Sequence, residues 1–204
     1  ELAATIGIEH QVMETQELQR AGYVANAGDR CYHCKTELYE LLKPLARERD
    51  AVLLNGTNTD DLGDYRPGLR AAREWDVHSP LVEAGCGKAE VRALAQALGL
   101  PVWDKPAAAC LASRIPVGTP VEVALLDQVE SAEAYLRGLG LHQVRVRHHG
   151  EIARIETDTA GMGIVADQRE AVTRRLTALG FYFVTLDLAG YRSGSLNPPA
   201  GRSQ

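Results

Sequence analysis

A short apolar run that leads directly into a glycine-rich acidic loop restricts the fold of this chain more than any other feature. Ala51, Val52, Leu53 and Leu54 form a continuous apolar run of the kind found in buried parallel strands. Residues 55–64 follow it and are rich in glycine and aspartate. Open α/β sheets bind their ligands at the carboxyl ends of parallel strands. The pattern therefore predicts an α/β fold with a parallel sheet and a ligand-binding loop at residues 55–64.

Four residues of this loop are candidate nucleotide ligands: Gly56, Thr57, Asp60 and Asp61. Paired carboxylates suit a hydrated Mg²⁺ ion on the phosphates of a nucleotide. A solvated acidic turn explains the same residues equally well, so the loop alone leaves both interpretations open.

Two of the four cysteines stand three residues apart at a predicted helix start. Cys31 and Cys34 lie on one side of a first helical turn, where the helix N-terminus favours thiolates. Four cysteines are too few for a disulfide scaffold in 204 residues, so the pair indicates metal or redox chemistry. Zinc needs two further ligands, a redox pair needs none, and an iron–sulfur cluster can use one remote cysteine. Two unliganded core cysteines are a further interpretation, and Cys86 is interpreted as a packing residue.

A third cysteine of interest lies in residues 103–118, WDKPAAACLASRIPVG, the segment that we expect to carry the chemistry. Three alanines precede Cys110 and give a substrate close access to its sulfur. Lys105 and Arg114 are the nearest cations in sequence, and cations favour the nucleophilic thiolate over the thiol. The segment predicts a reactive cysteine, although a lone cysteine is more often a buried, inert residue.

Beyond Pro120 the pattern predicts a smaller α+β domain of αββαβ order. Its expected elements are helices over residues 121–139 and 167–179 and strands over residues 144–147, 152–156 and 181–188. A helix over residues 88–98 is predicted before it.

Arginines alternate with valines in the first of these strands. Arg145 and Arg147 share one strand face, and Arg154 joins them if the hairpin register permits. Guanidinium groups aligned in this way match phosphate or carboxylate oxygens, whereas a solvated strand face is the commoner alternative.

The first residues suggest that the chain begins inside a repeating unit. Residues 1–6 have a helix pattern closed by Gly7, and residues 8–13 have a strand pattern. Because a helix that feeds a strand is half of a βαβ unit, we expect an N-terminal piece to be missing. The predicted domains are residues 1–106 and 107–197, followed by a tail at 198–204.

Composition argues against two classes of partner. A net charge of −5 argues against nucleic acid, whose partners usually carry a basic stripe. No apolar run approaches the roughly 18 residues of a membrane span, and no signal peptide is recognised. With few cysteines and no export signal, a reducing cytoplasm is expected.

Six stretches, read together and in order, resemble one family. They are DRCYHCK, GTNTDDLGDYRPG, SPLVEAG, WDKPAAACLASRIPVGT, RVRHHGEIARIE and LDLAGYRSGSLN. They resemble the LarE family of ATP-dependent sulfur transferases, within the PP-loop ATP-pyrophosphatase superfamily. The resemblance covers almost the whole chain, and ACLASRIP is its most specific part. It implies an adenine nucleotide alpha-hydrolase-like parallel-sheet domain, whose SGGVDS nucleotide loop has no counterpart here.

The resemblance implies a reaction on the pathway to the nickel-pincer nucleotide cofactor of lactate racemase. Such enzymes use Mg-ATP to adenylate a carboxylate of a pyridinium dicarboxylate mononucleotide, and a sulfur nucleophile then displaces AMP to leave a thiocarboxylate. In the sacrificial version, Cys110 gives up its own sulfur and becomes dehydroalanine. In the cluster version, Cys31, Cys34 and Cys110 hold a [4Fe–4S] centre that carries the transferable sulfur. The paired Cys31 and Cys34 favour the cluster version slightly.

Further roles are implied by position. Arg114 would balance charge near the sulfur, and Asp60 and Asp61 would support Mg-ATP beside Gly56 and Thr57. The substrate's phosphate side would be bound by Arg145, Arg147 and Glu133.

Two other functions are compatible with the same cysteines. A PP-loop tRNA thiolase also combines ATP, a CxxC pair and a distant cysteine, but needs an RNA-binding surface. A non-catalytic module with Cys31, Cys34 and Cys110 as a structural metal site is the alternative from another class. Family members often form rings of like subunits, so a homo-oligomer is expected.

Overall fold

A computed structural model gives the structure of the protein and describes residues 1–63, 66–105 and 108–192. The helices in these residues are α1 (Leu2–Ile6), α2 (Ala21–Ala25), α3 (Arg30–Glu48), α4 (Pro67–Glu74), α5 (Pro80–Glu83), α6 (Lys88–Ala97), α7 (Val123–Gly138), α8 (Thr159–Asp167) and α9 (Arg169–Ala178). The strands are β1 (Val144–His149), β2 (Ile152–Thr157) and β3 (Phe183–Leu186), and short 3-10 helices cover Glu17–Gln19, Thr59–Gly63 and Leu111–Arg114. No helix among the described residues has both the length and the apolar character needed to cross a membrane.

The chain divides into two units, Glu1–Ala107 and Ala108–Gln204. The division falls one residue after the predicted domain boundary at 106. Residue 64 of the predicted acidic loop lies outside the described residues, as do residues 193–204, which include the predicted tail.

The first unit is built around the contact between α3 and α4. Tyr39 of α3 is buried with Ala71 and Ala72 of α4, and Trp75 packs against this cluster. A side-chain carbon added at Gly68 would lie 3.1 Å from Cγ of Lys35, so a glycine there lets the two helices approach closely. Helix α4 was not predicted, because Pro67 and Gly68 resemble a turn, although proline is favourable at the first position of a helix.

Two predicted strands of the first unit need correction. Residues 8–13 form no strand, and Ile8 and Val12 are 60% and 81% exposed. The apolar run at 51–54 makes a single parallel bridge, Leu54 to His78, and Leu54 is 60% exposed rather than buried. A strand persists only where a neighbour accepts its hydrogen bonds, and the described residues of this unit offer one such residue pair. The parallel orientation of the bridge agrees with the sequence, while the full parallel sheet stays a prediction.

Helix ends in the first unit follow the sequence closely. Gly7 closes α1 with φ of 73°, in the left-handed conformation that glycine adopts without steric cost. Helix α3 begins at Arg30 and α6 spans Lys88–Ala97, so the predicted helices at Cys31 and at 88–98 are confirmed.

The second unit is a three-stranded mixed sheet in the order β1-β2-β3. Strands β1 and β2 form the predicted antiparallel hairpin, and β3 pairs with β2 in parallel. The register places Arg147 opposite Arg154, so the three arginines do share one face. The predicted helix at 167–179 and strand at 181–188 are confirmed with shorter bounds, and helix α8 was not predicted.

The valine face of β1 packs in the main core of this unit. That core joins α7, the sheet and both later helices through Ala132, Leu136, Leu141, Val144, Val146, Ala153, Ile155, Val165, Val172, Leu176 and Phe181. The alternation in β1 therefore places valines toward aliphatic side chains and arginines on the opposite face.

Candidate active site around Cys110

Cys110 begins a tight turn at the start of the second unit. It is exposed and precedes the 3-10 helix Leu111–Arg114, with an extended backbone at φ of −61° and ψ of 152°. The amide of Ser113 donates to the Cys110 carbonyl at 2.9 Å, which closes the turn. Ala112 and Ile115 are each 2% exposed, so the residues that follow Cys110 anchor the turn among packed side chains. Cys110 is therefore accessible to solvent, and its predicted reactivity stays a prediction.

Arg114 is almost fully buried and binds the main chain of this turn. Its Nη1 donates to the carbonyls of Ala109 and Cys110, at 2.8 and 2.9 Å, and to Oγ of Ser113 at 3.0 Å. Its Nε and Nη2 donate to the two carboxylate oxygens of Glu133, at 2.8 and 3.1 Å. The predicted role of Arg114 was to balance charge near the sulfur, and these bonds show that it holds the backbone of the residue that carries the sulfur.

Glu133 has an environment different from the one predicted. It is 0% exposed, and besides Arg114 it accepts from the amide of Val146 at 3.1 Å and from Arg137. A buried carboxylate is stable only where protein donors satisfy it, and here they do. Both carboxylate oxygens of Glu133 accept hydrogen bonds from protein donors, so in this structure neither is available for the predicted contact with substrate.

Arg147 contributes a second hold on the same turn. Its Nη1 donates to the Ser113 carbonyl at 3.0 Å. Its Nε and Nη2 both donate to Oε2 of Glu156, at 3.0 and 2.8 Å, and Arg154 binds the other oxygen at 3.0 Å. Arg147 is 5% exposed, so the alternative of a solvated strand face is wrong at this position, while its predicted contact with substrate stays a prediction.

Arg145 is also buried, at 7% exposed, and lies over the ring of Tyr191 with its guanidinium carbon 5.3 Å from the centroid. Its Nη1 donates to the Val144 carbonyl at 2.8 Å. Burial and the nearby positive charge of Arg114 lower the pKa of Arg145 from its ordinary value, and the charge of Glu133 opposes that change. The arginine face of β1 is thus an internal cationic layer.

Asp60 and Asp61 of the acidic loop bind Lys88, the first residue of α6. Asp60 accepts from the backbone amide of Lys88, where a carboxylate complements the positive end of the helix dipole. Asp61 is 7% exposed and pairs with Arg66 at 2.9 Å and with the Lys88 side chain at 3.3 Å. Gly56 is exposed at the start of the loop, and the Thr57 amide donates to the Asn55 side chain at 3.0 Å.

The cysteine pair lies at the start of α3 as predicted. Cys31 is exposed and Cys34 is half-buried, and both belong to the first unit, whereas Cys110 belongs to the second. All four cysteines lie in the described residues, and none forms a disulfide. The described residues contain no cluster of three or more His, Cys, Asp or Glu side chains arranged to hold a metal ion. The three-cysteine set stays a prediction.

Two residues of this site, Glu156 and Ser113, were not predicted as site residues from the sequence. Glu156 is 0% exposed and bridges Arg147 and Arg154, while Ser113 supplies a carbonyl and a hydroxyl to the two arginines. A glutamate near the end of β2, opposite Arg145 of the neighbouring strand, was the available signal for Glu156. Nothing in the sequence distinguished Ser113.

The chain is similar in sequence to three known proteins. No family model matches the chain. It is 46% identical over 198 residues to an uncharacterised protein of Synechocystis sp., covering 96% of this chain and 74% of that protein. It is 44% identical over 180 residues to the pyridinium-3,5-bisthiocarboxylic acid mononucleotide synthase of Lactiplantibacillus plantarum, covering 88% of this chain and 65% of the synthase.

A third relative, an uncharacterised protein of Methanocaldococcus jannaschii, is 30% identical over 171 residues, which are 83% of this chain and 67% of that protein. The chain thus spans between about two thirds and three quarters of the lengths of these relatives. With identity at this level along most of its residues, the chain belongs to the LarE family of sulfur-transferring enzymes.

Proposed function

We propose that this protein is an ATP-dependent sulfur transferase that converts a carboxylate of a pyridinium dicarboxylate mononucleotide into a thiocarboxylate. The observation that carries the proposal is the exposed Cys110 at the head of a turn whose backbone is bound by the buried Arg114 and Arg147. Identity to a synthase of a pyridinium bisthiocarboxylic acid mononucleotide supports the substrate class. The product would feed the nickel-pincer nucleotide cofactor of lactate racemase.

Activation of the carboxylate has to precede sulfur transfer. A carboxylate oxygen is a poor leaving group. Adenylation bonds this oxygen to the α-phosphorus of ATP and releases pyrophosphate, so that AMP becomes the leaving group of the acyl-adenylate. In the sacrificial route the thiolate of Cys110 then attacks the acyl carbon, AMP leaves, and a thioester forms, so that one difficult step becomes two easier ones.

In the sacrificial route the sulfur comes from Cys110 itself. A base removes the Cα proton, the Cβ–S bond breaks, and the sulfur leaves with the bonding electron pair as the thiocarboxylate. Residue 110 becomes dehydroalanine. No oxidant or reductant is required, because the carbon–sulfur cleavage is an elimination.

In the cluster route three thiolates would hold an iron–sulfur group. Cys31, Cys34 and Cys110 have the donor chemistry for it, since thiolates are the ligands of such clusters and none of the three is in a disulfide. When bound, a [4Fe–4S] cluster would supply a transferable sulfur on its open iron. The residues of this chain would still present Cys110 through Arg114 and Arg147.

The acidic loop, as it stands, does not fit an open Mg²⁺ site. Asp61 is paired with Arg66 and Lys88, and Asp60 caps α6, so a cation there would have to displace protein donors. The loop with Gly56 and Thr57 is still proposed to lie beside ATP.

The test measures thiocarboxylate formation, protein mass, and iron with sulfide after anaerobic purification, in the unaltered protein and in Cys110→Ala. We expect Cys110→Ala to abolish transfer and Cys86→Ser, a half-buried cysteine outside the site, to retain it. A mass loss equal to hydrogen sulfide would identify the sacrificial route, and iron with sulfide at constant mass would identify the cluster route. Undiminished transfer by Cys110→Ala would refute the proposed function.

A further inference from the structure

Two buried arginine–carboxylate pairs converge on the turn that carries Cys110. One pair joins Arg114 to Glu133 of α7, and the other joins Arg147 of β1 to Glu156 of β2. The Arg114, Glu133 and Glu156 side chains are 3% exposed or less, and that of Arg147 is 7% exposed. In each pair the arginine has one nitrogen left over after binding the carboxylate, and that nitrogen reaches a carbonyl of the turn.

The leftover nitrogens bind the turn on both sides of the cysteine. Nη1 of Arg114 reaches the carbonyls of Ala109 and Cys110, and Nη1 of Arg147 reaches the carbonyl of Ser113. Three carbonyls within five residues are thereby fixed to α7 and to the hairpin, while Cys110 itself stays exposed.

We propose that Glu133 and Glu156 are positioning residues of sulfur transfer: each orients an arginine, and the two arginines fix the backbone that aims the Cys110 thiol at the activated carboxylate. The inference rests on the sacrificial route of the proposed function, because it assigns a purpose to the orientation of that one sulfur. It also moves Glu133 and Arg147 from the expected substrate contacts to the support of the nucleophile.

The geometry of the guanidinium group explains why arginine occupies both positions. A planar fork can bind a carboxylate with two nitrogens and still direct the third at a carbonyl, whereas a lysine ammonium is a single point of charge. Attack on an acyl carbon needs the sulfur within about 3–3.5 Å and aligned, and a displacement of about 1 Å can cost roughly 100-fold in rate. A turn held at several carbonyls restricts the sulfur to rotation about its own side chain.

The chain also provides matched controls. Arg137 binds Glu133 and Arg154 binds Glu156, so the same two carboxylates each have an outer arginine. These outer side chains are 48% and 28% exposed. Among the described contacts they bind the carboxylates, and they bind no carbonyl of the cysteine turn. Loss of an outer arginine removes a partner of the carboxylate without releasing a carbonyl of the turn.

The experiment compares Arg114→Lys and Arg147→Lys with Arg137→Lys and Arg154→Lys. Because Cys110 is consumed in the sacrificial route, kcat and KM here denote the maximal rate constant of the single turnover that forms the thiocarboxylate and the substrate concentration that gives half of that rate. The further measurements are the rate of Cys110 modification by methyl methanethiosulfonate, followed by peptide mass spectrometry, and the midpoint of urea unfolding. We expect the two inner variants, folded under assay conditions, to lose roughly 100-fold in kcat with KM changed less than about 3-fold. Their Cys110 should react with the small reagent at least as fast as in the unaltered protein.

A double variant tests the route through the arginine. If Glu133 acts through Arg114, Glu133→Gln combined with Arg114→Lys should lose no more kcat than Arg114→Lys alone. Additive losses would contradict that route. The inference is overturned if the inner and outer variants lose kcat to the same extent.

Ser113→Ala keeps the test decisive if an inner variant does not fold. It removes only the hydroxyl that accepts from Arg114, and we expect a loss of roughly 3- to 10-fold in kcat at constant KM. Unchanged kcat in this variant would contradict the inference. Transfer that survives Cys110→Ala would instead refute the proposed function, so the two failures are distinguishable.

Discussion

At the scale of single residues, four buried charges define the candidate site. Glu133 and Glu156 are 0% exposed, and Arg114 and Arg147 are 3% and 5% exposed. Burying a charge is costly unless a partner and further hydrogen bonds satisfy it, and each of these charges has both. Replacing one partner leaves the other uncompensated, so these positions tolerate little change even before chemistry is considered.

The glycines of α8 give a prediction about packing. A carbon added at Gly161 would lie 2.1 Å from Oγ1 of Thr157, which is fully buried, whereas Gly163 has open space around the same position. We expect Gly161→Ala to lower the free energy of unfolding by about 1–3 kcal/mol. Gly163→Ala should raise it by roughly 0.5–1 kcal/mol, because alanine is the better helix former. Urea denaturation measures both, and equal effects would contradict the packing argument.

The buried imidazole of His148 gives a prediction about pH. His148 is 5% exposed, its Nε2 lies 3.1 Å from the Gln128 side chain, and its ring faces Phe181. Burial lowers the pKa of His148 below the ordinary value of 6.5. Because the unfolded chain then binds the proton more readily, stability present above pH 6.5 is lost as the pH falls toward the lowered folded value.

We therefore expect the free energy of unfolding to fall between pH 7 and pH 5, by at most about 1.4 kcal/mol per pH unit for this one proton. His148→Gln should flatten that dependence, and the exposed His142→Gln should leave it unchanged. Urea unfolding at several pH values measures the slope. A slope that is the same in His148→Gln as in the unaltered protein would refute the assignment to His148.

At the scale of elements, helix ends were predicted well and strands of the first unit were not. A helix carries its own hydrogen bonds and its own end signals, such as Gly7 after α1. A strand depends on hydrogen bonds to a neighbouring strand. The apolar run at 51–54 makes only a single bridge among the described residues, from the exposed Leu54 to His78. The acidic loop after it was expected to bind a nucleotide, yet its carboxylates serve the start of α6.

That role of Asp60 can be separated from a role in ATP binding. If Asp60 mainly caps α6, Asp60→Ala should lower the free energy of unfolding by about 1 kcal/mol, whereas Asp60→Asn should retain most of the stability because its amide oxygen still accepts from Lys88. Chemical denaturation of the three proteins checks this. If both variants keep full stability but lose ATP binding to the same extent, the capping role is refuted and the ligand role is favoured.

At the scale of the whole molecule, each unit has buried clusters of its own. The core of the second unit lies between α7, the sheet and the later helices, and Leu136 is at its centre with 0% exposure. The described cluster of α3 and α4 stabilises the first unit.

Leu136→Ala should therefore lower the stability of the second unit by roughly 2–5 kcal/mol, through lost burial and the cavity that remains. Amide hydrogen exchange in β1 and β2 measures the loss at the affected strands. Leu94→Ala, at a position 51% exposed, is the control and should cost well under about 1 kcal/mol. Comparable losses in the two variants would show that the core has been placed wrongly.

The sequence by itself determined the elements that depend on local signals and the segment that carries the candidate cysteine. Capping residues and periodicity predicted helices α3, α6, α7 and α9 and the β1–β2 hairpin. The exposure of Cys110 was decided by the structure. Only the tertiary structure decided the surroundings of the charged side chains. An arginine in an alternating strand has the same local pattern whether it faces water or a buried glutamate, because the glutamate that binds it comes from another element of the fold. Arg147 with Glu156, and Arg114 with Glu133, are pairs of this kind, and they decide how Cys110 is held.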